Sequence, residues 1–523
     1  MLLLLLTDRY FADWVSCSGH FPSMLKNISF QCNARPRSQS LSHASVWFAA
    51  SALWLCLAGC AVPEQTLVPP LLPVPNAYPA QADTVAQTAI ADVVAASLAW
   101  RDYFTDPDLR QLIERALSHN RDLRAALLRV AEARAAYGIQ RAERLPTLAG
   151  SLAATRAAVP GDLNVSGQPV IGNQFQSGVG FSSWELDFWG RISSLNEAAL
   201  QNYLATDAAR RAATVSLIAQ VANSYLALRD LDERLELARR TVDSRATSLR
   251  IFQRRVELGA TSRLELTQVE LLWRQATALL TQLEQARAVE AHALALLAGG
   301  PVELTPFSQP LDSMVVAPEL APGLPSDLLV QRPDIVAAEH GLQAARANVS
   351  AARAAFFPRI ALTAFAGTAS AELDGLFQPG SQAWTFAPTI SVPIFDGGRR
   401  QAGLDVAQVR REQAVVRYEQ AIQSAFRDVS DALSTQRWLG QQVNTLRATL
   451  TLQNERARLA KLRYDSGAVR YLEVLDAERD RLTVEQQLVQ TRRAQLAAQV
   501  ALYAALGGGS QHMTAGSSGV PAD

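Results

Sequence analysis

Four histidines follow residue 60, at His119, His292, His340 and His512, and no two of them share a helix turn. Zinc needs several nitrogen or sulfur donors converging, and a nucleophile activated by histidine needs an orienting carboxylate. The spacing supplies neither, so no catalytic residue and no metal-ligating set is legible. No Gly-x-x-x-x-Gly-Lys loop and no G-x-G-x-x-G turn stands between a strand and a helix, which removes the common phosphate cradles. Carboxylates are plentiful, but on charged helical stretches they are more often solvated faces than acid–base pairs. The 49 basic residues balance the 49 acidic ones. Nucleic acid as a partner would call for a basic surplus on one face. An enzyme is not expected.

Cys60 is the exception, because its surroundings predict covalent chemistry. It closes Leu57-Ala58-Gly59-Cys60, after the apolar run Val46 to Leu57 and the upstream positive charges Lys26, Arg35 and Arg37. That order is the order of a secretory leader. The four residues resemble the lipobox of bacterial lipoproteins, in which small residues let the peptidase reach the backbone. The thiol then takes a diacylglycerol and the new amino end an acyl chain such as palmitate. Residues 1–45 are long for a leader, and Met24 is the more ordinary start. Cys17, Cys32 and Cys56 precede the cut, so the mature chain keeps no thiol pair for a disulfide.

Those features divide the chain. Residues 1–59 read as leader and 60–96 as an acylated tether, extended by Pro63, Pro69, Pro70, Pro73, Pro75 and Pro79. The rest reads as a tandem duplication: 97–300, a connecting segment 301–330, then 331–508, with a tail at 509–523. Leu145-Pro146-Thr147-Leu148 and Phe357-Pro358-Arg359-Ile360 each precede strand-like sequence. Gly190-Arg191 and Gly398-Arg399 each open a long helical stretch, and Val256 to Ala260 returns as Tyr464 to Ala468. Leu264-Glu265-Leu266 and Leu297-Ala298-Gly299 return as Leu472-Glu473-Val474 and Leu506-Gly507-Gly508, all at offsets near 210 residues.

Each repeat reads helix, strand, strand, long helix, second helix. A first helix is expected over Leu109 to Arg144, stopped by Pro146, and its counterpart from Pro333 to the residues before Pro358. The expected strand pairs are 147–156 with 175–189, and 359–368 with 383–395. Trp384, Phe386, Ile390, Val392 and Ile394 alternate with Thr385, Ala387, Thr389 and Ser391, a period of two over about eleven residues, enough for a tilted strand to cross a bilayer. Residues 191–300 lack proline, so a helix from Arg191 to about Val256 would run roughly 100 Å at about 1.5 Å per residue. Val269, Leu272, Ala276, Leu279, Leu283 and Ala286 have coiled-coil spacing, and so do Leu475, Leu482, Val489, Leu496 and Tyr503. Four strands cannot seal a membrane barrel alone, and an eight-stranded interior is filled by side chains, so a pore needs at least three copies.

Ordered along the chain, Trp184-Glu185-Leu186-Asp187-Phe188-Trp189-Gly190-Arg191, Leu329-Val330-Gln331-Arg332-Pro333-Asp334-Ile335, Phe356-Phe357-Pro358, Pro393-Ile394-Phe395-Asp396-Gly397-Gly398 and Tyr464-Asp465-Ser466-Gly467 running into Leu472 to Ala477 resemble the outer-membrane efflux protein family. The nearer likeness is to its lipoprotein branch, the OprM-like or NodT-like channels of resistance-nodulation-division (RND) pumps. The resemblance implies a mainly α subunit with a small β part. As a TolC-like homotrimer it would give a 12-stranded β-barrel in the bacterial outer membrane and a coiled-coil α-barrel in the periplasm. It implies a periplasmic adaptor and an inner-membrane RND pump as partners, and drugs or other toxic small molecules as cargo. It also implies a periplasmic tip closed by acidic residues. The matching stretch is Phe426 to Leu433, in which Asp431 and then Asp428 are the gate candidates, three apart on one helical face. Gln220 and Asn223 stand near the equivalent positions of the first repeat. A type I protein-secretion outlet is the alternative within the class. A periplasmic adaptor lipoprotein is the alternative outside it, opposed by the two long hairpins.

Overall fold

The computed structural model describes residues 98–165, 167–303, 320 and 328–510. The leader, Cys60, the tether, most of 301–330 and the tail beyond residue 510 lie outside the described residues.

Proline-free, alanine-rich sequence gives four long helices in two matched pairs. Helices α3 (Arg191–Glu257) and α6 (Arg399–Asp465) have 67 residues each. Helices α4 (Arg263–Leu297) and α7 (Tyr471–Ala505) have 35 each. Each of these second-repeat helices begins 208 residues after its counterpart, Arg191 to Arg399 and Arg263 to Tyr471. The long pair ends in the same device. Gly259 and Gly467 take φ of 69° and 76°, a left-handed step that costs an L side chain. Ala260 N donates to Arg255 O at 2.7 Å and Ala468 N to Arg463 O at 2.9 Å, closing both helices by Schellman motifs before the chain reverses.

Shorter helices precede the strands: α1 (Pro107–His119) and α2 (Arg121–Ala142) in the first repeat, and α5 (Pro333–Ala354) in the second. The single helix expected over Leu109 to Arg144 is therefore two. Asn120 breaks it with an extended ψ of 131°, and its side chain accepts from Leu123 N at 2.9 Å as the cap of α2. The amide of the same side chain donates to Leu297 O at 2.9 Å, which ties the break to the end of α4.

Strands β1 (Ala149–Val159), β2 (Val170–Glu185), β3 (Arg359–Ser370) and β4 (Gln382–Ser391) form one antiparallel sheet in chain order. The boundaries differ from expectation at both ends. Strand β2 starts at Val170 because Val159 still pairs with it across the turn. Strand β4 stops at Ser391, since Pro393 can donate nothing to a ladder, so Val392 and Ile394 lie beyond it. Helices α2, α3, α5 and α6 pack side by side in the same sequence as the strands they adjoin.

The main core lies at mid-height of α3. Tyr103 stacks on Tyr503 with ring centroids 4.3 Å apart, among Ile113, Ile218, Val221 and Leu294. Burial pushes both tyrosine hydroxyls above the ordinary phenol range. They donate to Gln499 O at 2.9 Å and Leu98 O at 3.0 Å, so neither is left unpaired. A second cluster, with Ile422, Val429 and Leu502, repeats this arrangement around α6.

Candidate functional site

The sheet has two unlike faces, fixed by register. Leu152, Phe175, Val179, Phe181, Leu362 and Trp384 fall on one face through the pairs Ala154–Phe175, Phe181–Ala364 and Ala366–Trp384. Thr155, Gln174, Gln176, Thr363, Thr385 and Thr389 fall on the other. Trp384 is 78% exposed and Ile390 67%, so the apolar face is bare in the single chain. Strands β1 and β4 are both open edges. An open edge in hydrocarbon leaves each backbone group unpaired at several kcal/mol.

Two charged clefts lie along the helices that continue from this sheet. The first is at the strand-to-helix junction. Asp187 accepts from Ile192 N at 2.8 Å and Ser193 N at 2.6 Å, capping α3. Asp396 accepts from Gly398 N and Arg400 N, both at 3.1 Å, at the start of α6. The Arg400 guanidinium, 2.7 Å away, holds the Asp396 carboxyl below its usual range. Trp189 donates to Pro358 O at 2.8 Å and stacks on Phe357. Arg191 grips Glu185 with two bonds of 2.8 Å, and Arg359 approaches Glu185 from β3 at 2.7 Å.

The second cleft, of about 740 Å³, lies at the waist and contains the gate candidates. Asp428 is 29 residues into α6 and 37 from its end, so it stands about 55 Å from the hairpin turn at 1.5 Å per residue. The expectation that Asp428 and Asp431 lie at the helical tip does not hold: α6 runs on unbroken to Asp465. Asp428 accepts from Arg332 at 3.3 and 3.4 Å. Arg332 is buried; it also pairs with Asp334 at 2.7 Å and donates to Ala505 O at 3.1 Å. One guanidinium thereby ties the start of α5, the middle of α6 and the end of α7. Desolvation opposes its charge, but the two carboxylates outweigh that and raise its pKa. Asp431 is different: its side chain is 73% exposed, with Arg427 at 4.0 Å. Gln220 and Asn223 line the same cleft, so the equivalent positions of the two repeats do meet there.

The tip carries a cluster that spacing alone did not mark. Ser248 and Tyr471 share a hydrogen bond of 2.7 Å, Arg255 bonds to the Tyr464 hydroxyl, and Phe252 packs on Tyr471. These contacts join the ends of the two hairpins. The signal available in the sequence was the pair of turn glycines, Gly259 and Gly467. Among the described residues no group of three or more His, Cys, Asp or Glu is placed to hold a metal ion, and no helix is long and apolar enough to cross a membrane.

The model of the family described as "Outer membrane efflux protein" matches residues 112–300 and again 324–508. The chain belongs to the outer membrane efflux protein family. It is 43% identical over 439 residues to the solvent efflux pump outer membrane protein SrpC of Pseudomonas putida, covering 84% of this chain and 92% of that protein. It is 41% identical over 415 residues to the outer membrane protein OprJ of Pseudomonas aeruginosa, covering 79% and 86%. Among solved structures, the open state of the MtrE outer membrane channel of Neisseria gonorrhoeae superposes with a TM-score of 0.77 at 37% identity, covering 86% of this chain and 98% of that one. This efflux protein is thus an outer-membrane channel subunit, and the two matched stretches coincide with the two halves of its duplicated architecture.

Proposed function

We propose that three copies of this chain close a 12-stranded barrel in the bacterial outer membrane and form the passive exit duct of a tripartite RND-type efflux system. The observation that carries this reading is the four-stranded sheet with one apolar face and two open edges. Two copies would give an eight-stranded barrel filled by side chains, and three are the fewest that leave a lumen. The helices support the same closure. Leu127, Leu128 and Ile139 on α2, and Val406, Val409 and Val416 on α6, are exposed on the two flanking helices of the row. Joining β4 of one copy to β1 of the next also brings α6 of the first beside α2 of the second.

Relatives named as solvent and toluene efflux pump outer membrane proteins support toxic small molecules as the cargo. In this reading a periplasmic adaptor and an inner-membrane pump hand the cargo over. Cys60, acylated, anchors the mature chain in the outer membrane. Asp431 and Asp428 contribute carboxylates to a ring at the waist, which favours cations. Paired cysteines test the closure. Ala153→Cys on β1 combined with Ala387→Cys on β4 should yield chains linked in threes under oxidation. Exclusively unlinked chains across a scan of both edges would refute it. Cys60→Ala should abolish labelling by radioactive palmitate, and persistent labelling would remove the anchor.

A further inference from the structure

The barrel base holds a charge arrangement that no step above uses. Strand β2 contains a bulge: its register shifts between Phe181 and Trp184, Ser183 takes a φ of 54°, and Ser183 N donates to Thr363 Oγ1 at 3.2 Å. A one-residue slip turns every later side chain to the opposite face. Without the bulge Glu185 would fall on the apolar face. With it, Glu185 stands opposite Ala361 and Trp184 opposite Leu362. Arg359 stands opposite Ser391, on the face of Thr363 and Thr389. The bulge therefore deposits a carboxylate on the polar face beside an arginine of the neighbouring strand.

The cleft at this level, about 460 Å³, is lined by Arg191, Arg359 and Arg399 together with Glu185 and Asp187, besides the Asp396–Arg400 pair that neutralises itself. The surplus is one positive charge per chain. Glu185 is the shared counter-ion and its side chain is only 11% exposed, whereas Arg359 remains 57% exposed. The Arg399 side chain has no hydrogen bond or ion pair among the described residues. Asp187 is exposed too but is engaged by two backbone N–H groups, so the net charge that faces water at this cleft is positive.

We propose that Arg359 and Arg399 form an anion-attracting station at the base of the barrel lumen, which favours passage of organic anions such as amphiphiles bearing a carboxylate or sulfonate. The inference rests on the channel reading, because only ring closure turns the polar face into a lumen. In a ring of three the surplus is repeated around a low-dielectric wall, which concentrates counter-ions. Phe188, 63% exposed, lines the same cleft as the arginines and suits an amphiphile better than a simple ion.

The test is ion selectivity of the purified wild-type channel and of Arg359→Glu and Arg399→Glu in planar bilayers under a KCl gradient. It is repeated with benzenesulfonate replacing chloride. The anion-to-cation permeability ratio should fall roughly twofold or more in each variant, and further for benzenesulfonate than for chloride. Arg399→Glu has no bonded partner to lose, so it decides the matter if Arg359→Glu fails to assemble. Conducting variants with unchanged ratios for both anions overturn the proposal and leave the channel intact. A wild-type protein that inserts but never conducts overturns the channel reading instead.

Discussion

At the barrel base one carboxylate, Glu185, lies between two guanidiniums, Arg191 and Arg359. At the waist one guanidinium, Arg332, lies between two carboxylates, Asp334 and Asp428. The chemistry is the same and the signs are inverted. Each central group is shielded and each has an outer partner that reaches water. Both therefore serve as structural ties and also leave a residual charge at the surface. At the base the tie joins β2, β3 and the start of α3, and the remainder is positive. At the waist it joins α5, α6 and α7. There Asp334, Asp428 and Asp431 outnumber Arg332 and Arg427, so the remainder is negative. In the proposed channel a molecule moving outward would meet acid first and base second. The comparison also separates stability from selectivity: the shielded member of each cluster governs the first, and the exposed members govern the second.

The largest effect expected is on the waist tie. Arg332→Ala removes the partner shared by Asp334 and Asp428, leaving Asp428 only Arg427 at 2.8 Å, and leaves Ala505 O without its donor. The cost is about 3 kcal/mol, read as a lower denaturation midpoint in detergent. A change under 1 kcal/mol would break the parallel between the two regions. Glu185→Gln leaves two guanidiniums facing each other without a counter-ion, at a cost of about 2 kcal/mol. Asp428→Asn keeps the shape but weakens one of the two carboxylate partners of Arg332, at about 1 kcal/mol. Its loss must be smaller than that of Arg332→Ala if the guanidinium is the hub.

Asp431→Ala should change stability by less than about 0.5 kcal/mol, since the side chain is exposed. Its effect belongs to conduction: higher conductance or weaker cation preference in planar bilayers. Unchanged values in both would remove Asp431 from the path. The smallest effect concerns acid. The folded-state pKa of Asp396 is depressed by Arg400, so its contribution is present above the unfolded carboxylate pKa of about 3.9 and is lost as pH falls below it. Asp396→Asn should lower stability slightly at neutral pH, where the carboxylate is charged, and flatten the acid limb below about pH 4, where the two proteins converge.

The long elements were legible because their signals are repetitive. The absence of proline and the recurrence of Gly-Arg starts and glycine turns mark α3 and α6, and the expected span of α3, Arg191 to about Val256, ends one residue short of Glu257. The strands were legible from period-two alternation, with blurred ends, because pairing partners rather than propensity decide where a strand stops. What stayed hidden depends on contacts between distant residues. Asn120 breaks a helix through a bond to Leu297, 177 residues away. Arg332 was visible as part of a motif, but its role needed Asp428 and Ala505, which lie 96 and 173 residues further on. Asp428 and Asp431 were placed at a tip by likeness alone, and the length of α6 moves them to the waist. The bulge at Ser183 has no sequence signature, yet it decides which face Glu185 occupies.

Everything said of lumen, ring and selectivity depends on how many chains share one sheet. Native mass spectrometry of the detergent-extracted protein measures that number. A particle three times the mass of the mature chain is the expected result. A stable single chain, with β1 and β4 still unpaired, would contradict the shared barrel outright.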